Sequence, residues 1–293
     1  GGGGGGGGGG AIGSTAVLHG HEDQVLGMHA YGETLTSCSA DGTVQVWSLA
    51  DGLPLRRWRW HAYCVQCDER RCLTGGEGAD PIRLYDWHDG AQLAALHDAE
   101  APQGICTALQ RAGATVAASN SDRASPLRTW DLATGALTDR FLLPSFCAGV
   151  RCLQLHGHDL VAGCGNGWVV LCDLRSGRWE RKVALPEMVN TLEWRGDMLL
   201  TGGDDGVVRL SDVGTFATIS GHRVGRCVFA ARFDRTRIYA GCDNGEVRVF
   251  DYSSRPESAH AAGEGGFTPR QKQALQAAFF ERPQSFGAHA DAL

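Results

Sequence analysis

The segment Asp41-Gly42-Thr43-Val44-Gln45-Val46-Trp47-Ser48 decides the fold. Its Asp-Gly pair tolerates the positive φ angles that a two-residue hairpin turn needs. The residues after the pair alternate between apolar and polar side chains, which is the period of a half-buried strand. The segment therefore predicts a tight turn that leads into a β-strand.

Segments of this kind recur along the whole chain. Six copies of the strand end in Asp or a substitute, at residues 44–48, 83–86, 128–131, 170–173, 209–212 and 248–251. Measured at the aromatic or equivalent position, the copies are 38, 45, 42, 39 and 39 residues apart. This period leaves room for four strands in each unit and is typical of the blades of a β-propeller.

Further turn signals mark the other strands of each unit. Hairpin turns are predicted at Asn166-Gly167, Asp205-Gly206 and Asn244-Gly245, whereas residues 79–81 and 121–126 predict longer or irregular loops in the second and third copies. A Gly-containing turn and a short outer strand follow the repeated strand in the first four copies, at residues 53–58, 92–96, 136–141 and 179–184. The pattern predicts an all-β fold with evenly spaced turns.

The first repeat resembles the WD-repeat propeller family, since it combines Gly20-His21, Asp41 and Trp47. Similar pairs occur at Trp130-Asp131 and Gly221-His222, and the resemblance covers about residues 14–252. It implies a buried network in which a His, a Ser or Thr, an Asp and a Trp fix the turn and the strand packing. The residues to which it assigns this structural role are His21, Ser37, Ser39, Asp41, Trp47, Trp130, Asp131, Asp205 and His222.

The resemblance also implies a way to close the ring. In the family the last blade is completed by a strand from the N-terminus, and residues 15–18 can supply it, so we expect six four-stranded blades closed by the N-terminal segment. The alternative is that one or more true N-terminal blades are missing and the glycine run stands in their place.

The two ends of the chain differ from the repeats. Residues 1–13 are glycine-rich and are expected to be disordered, and residues 14–252 form the predicted propeller. The tail, residues 253–293, contains a predicted short helix at about 269–282, which starts at Thr268-Pro269 and places Leu275 and Phe279 on one face. This helix docks either on the propeller itself or on a partner.

Composition narrows the class of partner and the compartment. The formal charge of -6 repels a phosphate backbone, so nucleic acid is an unlikely partner, and the chain lacks the run of about 18 apolar residues that a membrane span needs. Eleven Cys without an export signal indicate buried thiols in a reducing compartment, the cytoplasm or the nucleus.

No motif points to catalysis, a cofactor or a metal. Cys64, Cys67 and Cys72 lack the second Cys pair of a zinc site, and the glycines serve hairpins rather than a phosphate loop. We therefore expect a non-catalytic protein. The alternative is a propeller enzyme whose site is assembled across blades.

Binding to other proteins is the expected function, and three groups of residues are candidates. The stretch Arg56, Arg57, Trp58, Arg59, Trp60 has the residue types enriched at interfaces, although its alternation also fits an outer strand with one packed face. Arg223 and Arg226, with Arg235 and Arg237 nearby, suit an acidic peptide or are simply solvated. The third group is Asp173 and Arg175.

Asp173 and Arg175 resemble the Trp-Asp-x-Arg box by which some WD-repeat proteins attach to the adaptor of a cullin-type ubiquitin ligase, with Cys172 in place of the Trp. The F-box branch of the family is a second route to the same biology. The sequence thus predicts an interaction scaffold, such as a substrate receptor or adaptor of a ubiquitin ligase. A structural subunit of a large assembly is the alternative.

Overall fold

A computed structural model describes residues 18–78, 81–100, 104–119, 127–234 and 236–251. These ranges contain β-strands and no helix, so none of them holds a helix that could cross a membrane. The strands are β1 Val25–Tyr31, β2 Thr34–Ser39, β3 Thr43–Ser48, β4 Pro54–Arg59, β5 Ala62–Cys67, β6 Arg71–Gly78, β7 Ile82–Asp86, β8 Gln92–Leu96, β9 Gly104–Ile105, β10 Ala108–Ala112, β11 Thr115–Ser119 and β12 Leu127–Asp131. The second half continues with β13 Leu137–Phe141, β14 Val150–His156, β15 Asp159–Cys164, β16 Trp168–Asp173, β17 Arg178–Ala184, β18 Val189–Arg195, β19 Met198–Gly203, β20 Val207–Asp212, β21 Thr218–Arg223, β22 Val228–Phe233, β23 Arg237–Cys242 and β24 Val247–Asp251.

The strands form six antiparallel sheets, each built from consecutive strands. Blades 1 to 5 have four strands each in sequence order, and the short β9 adds a pair of residues to β6 of blade 2. Blade 6 has three strands in the described ranges, β22 to β24. The predicted all-β propeller of six blades is confirmed. The predicted helix at 269–282 and residues 15–17 of the closing strand lie outside the described residues.

The conformation of the turns explains why short Gly-containing motifs predicted the hairpins. Gly42 has a φ of 76° and Gly206 a φ of 66°, a region that other residues rarely adopt. Each glycine is the second residue of a predicted Asp-Gly turn, and its turn joins the second strand of a blade to the third. The turns fix the register, so that the apolar side chains of both strands reach the same side of the sheet.

The first strands of the blades surround a common axis. β1 packs against β5, and the same contact is repeated from β5 to β10, to β14, to β18 and to β22. The positive charge of Arg232 on β22 lowers the pKa of His29 on β1, after the larger effect of burial. Because a strand of the last blade influences a strand of the first, these inner strands face the same space.

Five apolar clusters fill the five junctions between consecutive blades. At the first junction Val44 of blade 1 lies with Ala62 and Val65 of blade 2. Three junctions depend on a glycine of the earlier blade, and a Cβ at Gly75 would lie 2.5 Å from Sγ of Cys106. A Cβ at Gly163 would lie 2.7 Å from Cγ1 of Val189, and a Cβ at Gly202 would lie 2.7 Å from Cγ1 of Val228.

Polar side chains of the inner strands also link neighbouring blades. His29 Nδ1 accepts the backbone N–H of Cys67 at 3.2 Å, and Gln66 Oε1 accepts that of Arg111 at 2.7 Å. Glu193 Oε2 does the same for Phe233 at 2.7 Å. These three acceptors occupy the same position, four residues after the first residue of the inner strand, so the link is repeated at three of the five junctions.

All eleven cysteines are free thiols. Seven are buried, and Cys64, Cys152, Cys227 and Cys242 are half-buried. Burial raises the pKa of Cys152 to about 12, which keeps this thiol protonated and unreactive at neutral pH. The thiols behave as small apolar core residues, as their sequence context predicts.

Candidate protein-binding surface

In blade 1 a chain of hydrogen bonds ties the loop before the blade to its strands. Trp47 Nε1 donates to Ser37 Oγ at 2.8 Å, and Ser37 lies 2.8 Å from His21 Nε2. His21 Nδ1 lies 2.9 Å from Asp41 Oδ2. With a proton on Nδ1, His21 donates to Asp41, and Ser37 accepts the indole N–H while it donates to Nε2. Ser39 closes the same turn by accepting the N–H of Asp41 at 3.1 Å.

Asp41 is the negative end of this chain. Burial favours its neutral form, but hydrogen bonds from Thr43, the backbone N–H of Glu22 and His21 outweigh burial and hold the pKa of Asp41 well below its usual range. The carboxylate is therefore ionised at neutral pH, and it fixes both the imidazole and the turn at Gly42.

Blade 3 ties the loop before it to its strands with charged groups. Trp130 Nε1 donates to the carbonyl of His97 at 3.2 Å, and the adjacent Asp98 is 4% exposed. Asp98 accepts hydrogen bonds from Arg128 Nε at 2.7 Å and from Arg140 Nε at 2.8 Å. The two guanidinium groups, Arg140 foremost, hold the pKa of Asp98 well below its usual range against the effect of burial.

The other residues assigned to the network have different contacts. Asp131 accepts the N–H and the hydroxyl of Thr134, and it caps the turn before the outer strand. Asp205 accepts the N–H of Val207 at 3.0 Å and pairs with Arg209 rather than with a His. His222 lies on the outer strand β21, not in the loop after it, where it bonds Ser220 and stacks on Phe250 at 4.6 Å.

The Arg and Trp stretch is the outer strand of blade 1. Trp58 packs on Tyr85 with ring centroids 4.9 Å apart, and Trp60 lies 3.5 Å under the guanidinium of Arg83. Arg57 and Arg59 are exposed, while the exposed Arg56 donates to the carbonyl of His88. The alternation thus places both aromatic rings against blade 2 and leaves cations at the rim.

The remaining candidates lie apart from one another. Asp173 is 14% exposed and Arg175 67% exposed, and Arg175 Nε lies 3.2 Å from Asp173 Oδ1, at the turn between β16 and β17. Arg223 ends β21 and Arg226 lies in the loop before β22, and both are exposed. No contact joins these pairs to the Arg and Trp stretch in the described residues.

A ring of bulges is the feature that the sequence did not reveal. The pairing of the inner strand with its neighbour skips one residue in five of the six blades, and the skipped residues are Leu26, Tyr63, Arg151, Asn190 and Phe229. Bulges re-aim a side chain away from the sheet and are frequent next to functional sites. Because each lies at the start of an inner strand, they surround one mouth of the central channel, which we call the channel mouth.

The channel mouth combines apolar groups with an uncompensated cation. Leu26 is 39% exposed and Phe229 is 56% exposed. Tyr63 donates to Glu77 Oε2 at 3.0 Å, so its ring is held in place. Arg151 is exposed and forms no ion pair within the described residues. This arrangement suits a ligand that has both a carboxylate and apolar groups.

The described residues contain no group of three or more His, Cys, Asp or Glu side chains that could hold a metal ion. The buried carboxylates found there are committed to arginines or backbone N–H groups.

Residues 13–48 match the family model described as WD domain, G-beta repeat. The first three strands of blade 1 are thus similar to a WD repeat. A stretch of 56 residues, 18% of the chain, is 43% identical to Mitochondrial division protein 1 of Mycosarcoma maydis. The chain spans only 7% of the length of that relative, so the similarity concerns a short part of both proteins.

The fold as a whole resembles that of a solved structure. The crystal structure of the computationally designed Ika8 protein superposes with a TM-score of 0.66 over 80% of this chain and 73% of that chain. Sequence identity is 21%, so the likeness shows the fold alone. Blades 2 to 5 have the same strand order as blade 1, and blade 6 has the first three strands of that order in the described ranges.

Proposed function

We propose that this protein is a non-catalytic interaction scaffold that binds a segment of another protein at the channel mouth. The observation that supports the proposal most is that the exposed Leu26 and Phe229 share the channel mouth with Arg151, which forms no ion pair within the described residues. Rigid scaffolds that project loop and bulge residues are the usual sites of recognition. A WD repeat in blade 1 agrees with this function, because such propellers typically bind proteins.

The chemistry of the channel mouth specifies the ligand. Arg151 suits an Asp or Glu side chain, since a guanidinium binds a carboxylate through two parallel hydrogen bonds. Leu26 and Phe229 suit apolar side chains on the same segment, and the burial of each contributes about 1.5–3 kcal/mol before the cost of ordering. The ligand is therefore an extended acidic segment with apolar flanks.

The test is a charge reversal at Arg151 with a matched control. A displayed peptide library with one fixed Glu and randomised neighbours is selected on the full chain, and the enriched peptides are measured against Arg151→Glu and Arg178→Glu. Arg178 is an exposed arginine on β17 of the same blade, away from the channel mouth. We expect Arg151→Glu to weaken binding at least tenfold and Arg178→Glu to change it less than twofold. Equal loss in both variants, or selection of no peptide, would contradict the proposal.

A finer proposal is that the scaffold serves a cullin-type ubiquitin ligase as a substrate receptor. Its support is the exposed Arg175 beside Asp173, which matches the end of the adaptor-binding box. A pull-down with purified cullin adaptor tests it. Binding that is lost in Arg175→Ala and kept in Arg178→Ala supports the role, and absent or insensitive binding removes it. The channel mouth proposal does not depend on this result.

A further inference from the structure

Within the described residues, one face of blade 6 lacks the neighbouring blade that each of blades 1 to 5 has. In blades 1 to 5 two positions of the third strand are buried in the junction with the next blade; they are Val44 and Val46, Ile82 and Leu84, Leu127 and Thr129, Val169 and Leu171, and Val208 and Leu210. In blade 6 the same positions hold Val247 and Val249, which are 69% and 51% exposed. We call this surface, with Gly241, Tyr239 and Arg232, the open face.

The space over the glycine of the open face is also empty in the described residues. Gly163 and Gly202 each receive a valine of the following blade, whose Cγ1 would lie 2.7 Å from an added Cβ. The nearest atoms to a Cβ at Gly241, the equivalent position, belong to Ala230 at 3.8 Å. The open face thus resembles the side that an earlier blade contributes to a junction, but no described blade packs on it.

The residues of the open face do not suit another blade. At the position where His29, Gln66 and Glu193 accept a backbone N–H from the next blade, blade 6 has Arg232. A guanidinium has donors only, so Arg232 cannot form this link with a docked blade. Tyr239 also replaces the smaller Thr36 of blade 1. A partner without free backbone donors fits better.

We propose that residues 269–282 of this chain pack as a helix on the open face. A helix has no free N–H along its side, so it needs no acceptor at Arg232. The sequence there predicts an N-capped helix with Leu275 and Phe279 on one face beside Ala274 and Ala278. The small alanines allow the two large side chains to reach the valines of β24.

The lengths of the chain agree with this contact. β24 ends at Asp251, at the open face itself, and residues 252–267 are long enough to span roughly 50 Å when extended. A helix of 14 residues is about 21 Å long, and a strand of five residues is about 17 Å long. The tail therefore reaches the face and covers it from end to end.

Hydrogen exchange of the full chain tests the contact. The variant Leu275→Asp with Phe279→Asp is compared with Gln273→Asp and Ala277→Asp, which have the same spacing and charge on the opposite side of the predicted helix. We expect the first pair to raise the exchange rate of residues 237–251 at least tenfold and to speed alkylation of the half-buried Cys242. The control pair should change neither, and peptides from β14 to β16 should stay constant in both variants.

Other results would overturn the proposal. Exchange that is the same in the wild type and in both variants shows that the tail does not cover the open face. If Met28→Asp, on the exposed side of β1, raises the exchange of β24 instead, blade 1 is the occupant. Protection that increases with protein concentration would identify a second copy of the chain.

Discussion

Blade 1 and blade 3 fasten the loop that precedes them in different ways. Blade 1 uses a relay of neutral groups, from Trp47 through Ser37 to His21, that ends on a single carboxylate. Blade 3 places the buried Asp98 between two arginines and turns its Trp130 to a backbone carbonyl. The comparison teaches that the fold requires a link between loop and strands but does not fix its chemistry.

The two links should respond differently to damage. In blade 1 each hydrogen bond contributes about 1 kcal/mol net, and the loss of one partner leaves neutral groups unpaired. In blade 3 the loss of the carboxylate leaves two positive charges close together at a poorly hydrated site, which is much more unfavourable. Blade 3 should therefore be the more fragile of the two.

The largest effect is expected from Asp98→Ala. Arg128 is 13% exposed and Arg140 is 32% exposed, and the substitution removes the carboxylate that both guanidinium groups share. We expect the free energy of unfolding to fall by about 3 kcal/mol, measured by urea denaturation. Glu100→Ala is the control, because Glu100 also contacts Arg140 but is 76% exposed, and it should cost less than about 0.5 kcal/mol. Equal losses in the two variants would contradict the interpretation.

A smaller effect is expected from Ser37→Ala in blade 1. The hydroxyl joins Trp47 to His21, and its removal leaves the indole N–H and Nε2 unpaired, at a cost of about 1–3 kcal/mol. Repeating the substitution in a Trp47→Phe background isolates the relay, because Phe has no N–H to satisfy. The loss should then be smaller. Strictly additive losses would show that the hydrogen bond contributes nothing of its own.

The smallest effect concerns pH at the junction that blade 1 makes with blade 2. His29 accepts a backbone N–H and must be neutral to do so, and burial together with Arg232 lowers its pKa. A lowered pKa stabilises the fold above the unfolded value of about 6.5, and this stability is lost as pH falls through the folded-state pKa. We expect a loss of up to about 1 kcal/mol between pH 7.5 and 5.5.

Blade 3 supplies the control for this pH effect. Its residue at the position of His29 is Gln110, which does not titrate. His29→Gln should therefore keep the stability at pH 7.5 and remove the loss at pH 5.5, as measured by thermal unfolding at both values. A loss of the same size in the variant would assign the pH dependence to another group.

The repeat and the fold could be predicted from the sequence because their signals are local. Each Asp-Gly turn and the alternating strand after it lie within a few residues of one another. Their recurrence at intervals near 40 residues predicted six blades and most strand ends. The relay of blade 1 is marked in the same way, since Asp41 and Trp47 belong to one hairpin.

The rest depends on contacts that are distant in sequence. Asp98 is 30 residues from Arg128 and 42 from Arg140, and nothing in its neighbourhood marks it as their partner. A bulge is one extra residue in a strand, so Arg151 and Phe229 look like ordinary strand residues until the pairing is known. His222 follows a glycine as His21 does, yet one lies in an outer strand and the other in a loop.

Gly163 and Gly202 limit which amino-acid substitutions the ring can accept. The valines that fill their hollows, Val189 and Val228, leave no space for even one methyl group. Alanine at either glycine would push two sheets apart, and every later blade would shift with them. Substitutions at these junctions must therefore occur as compensating pairs, a larger residue on one sheet with a smaller one on its neighbour. The distance between neighbouring sheets is thus set by pairs of residues rather than by single ones.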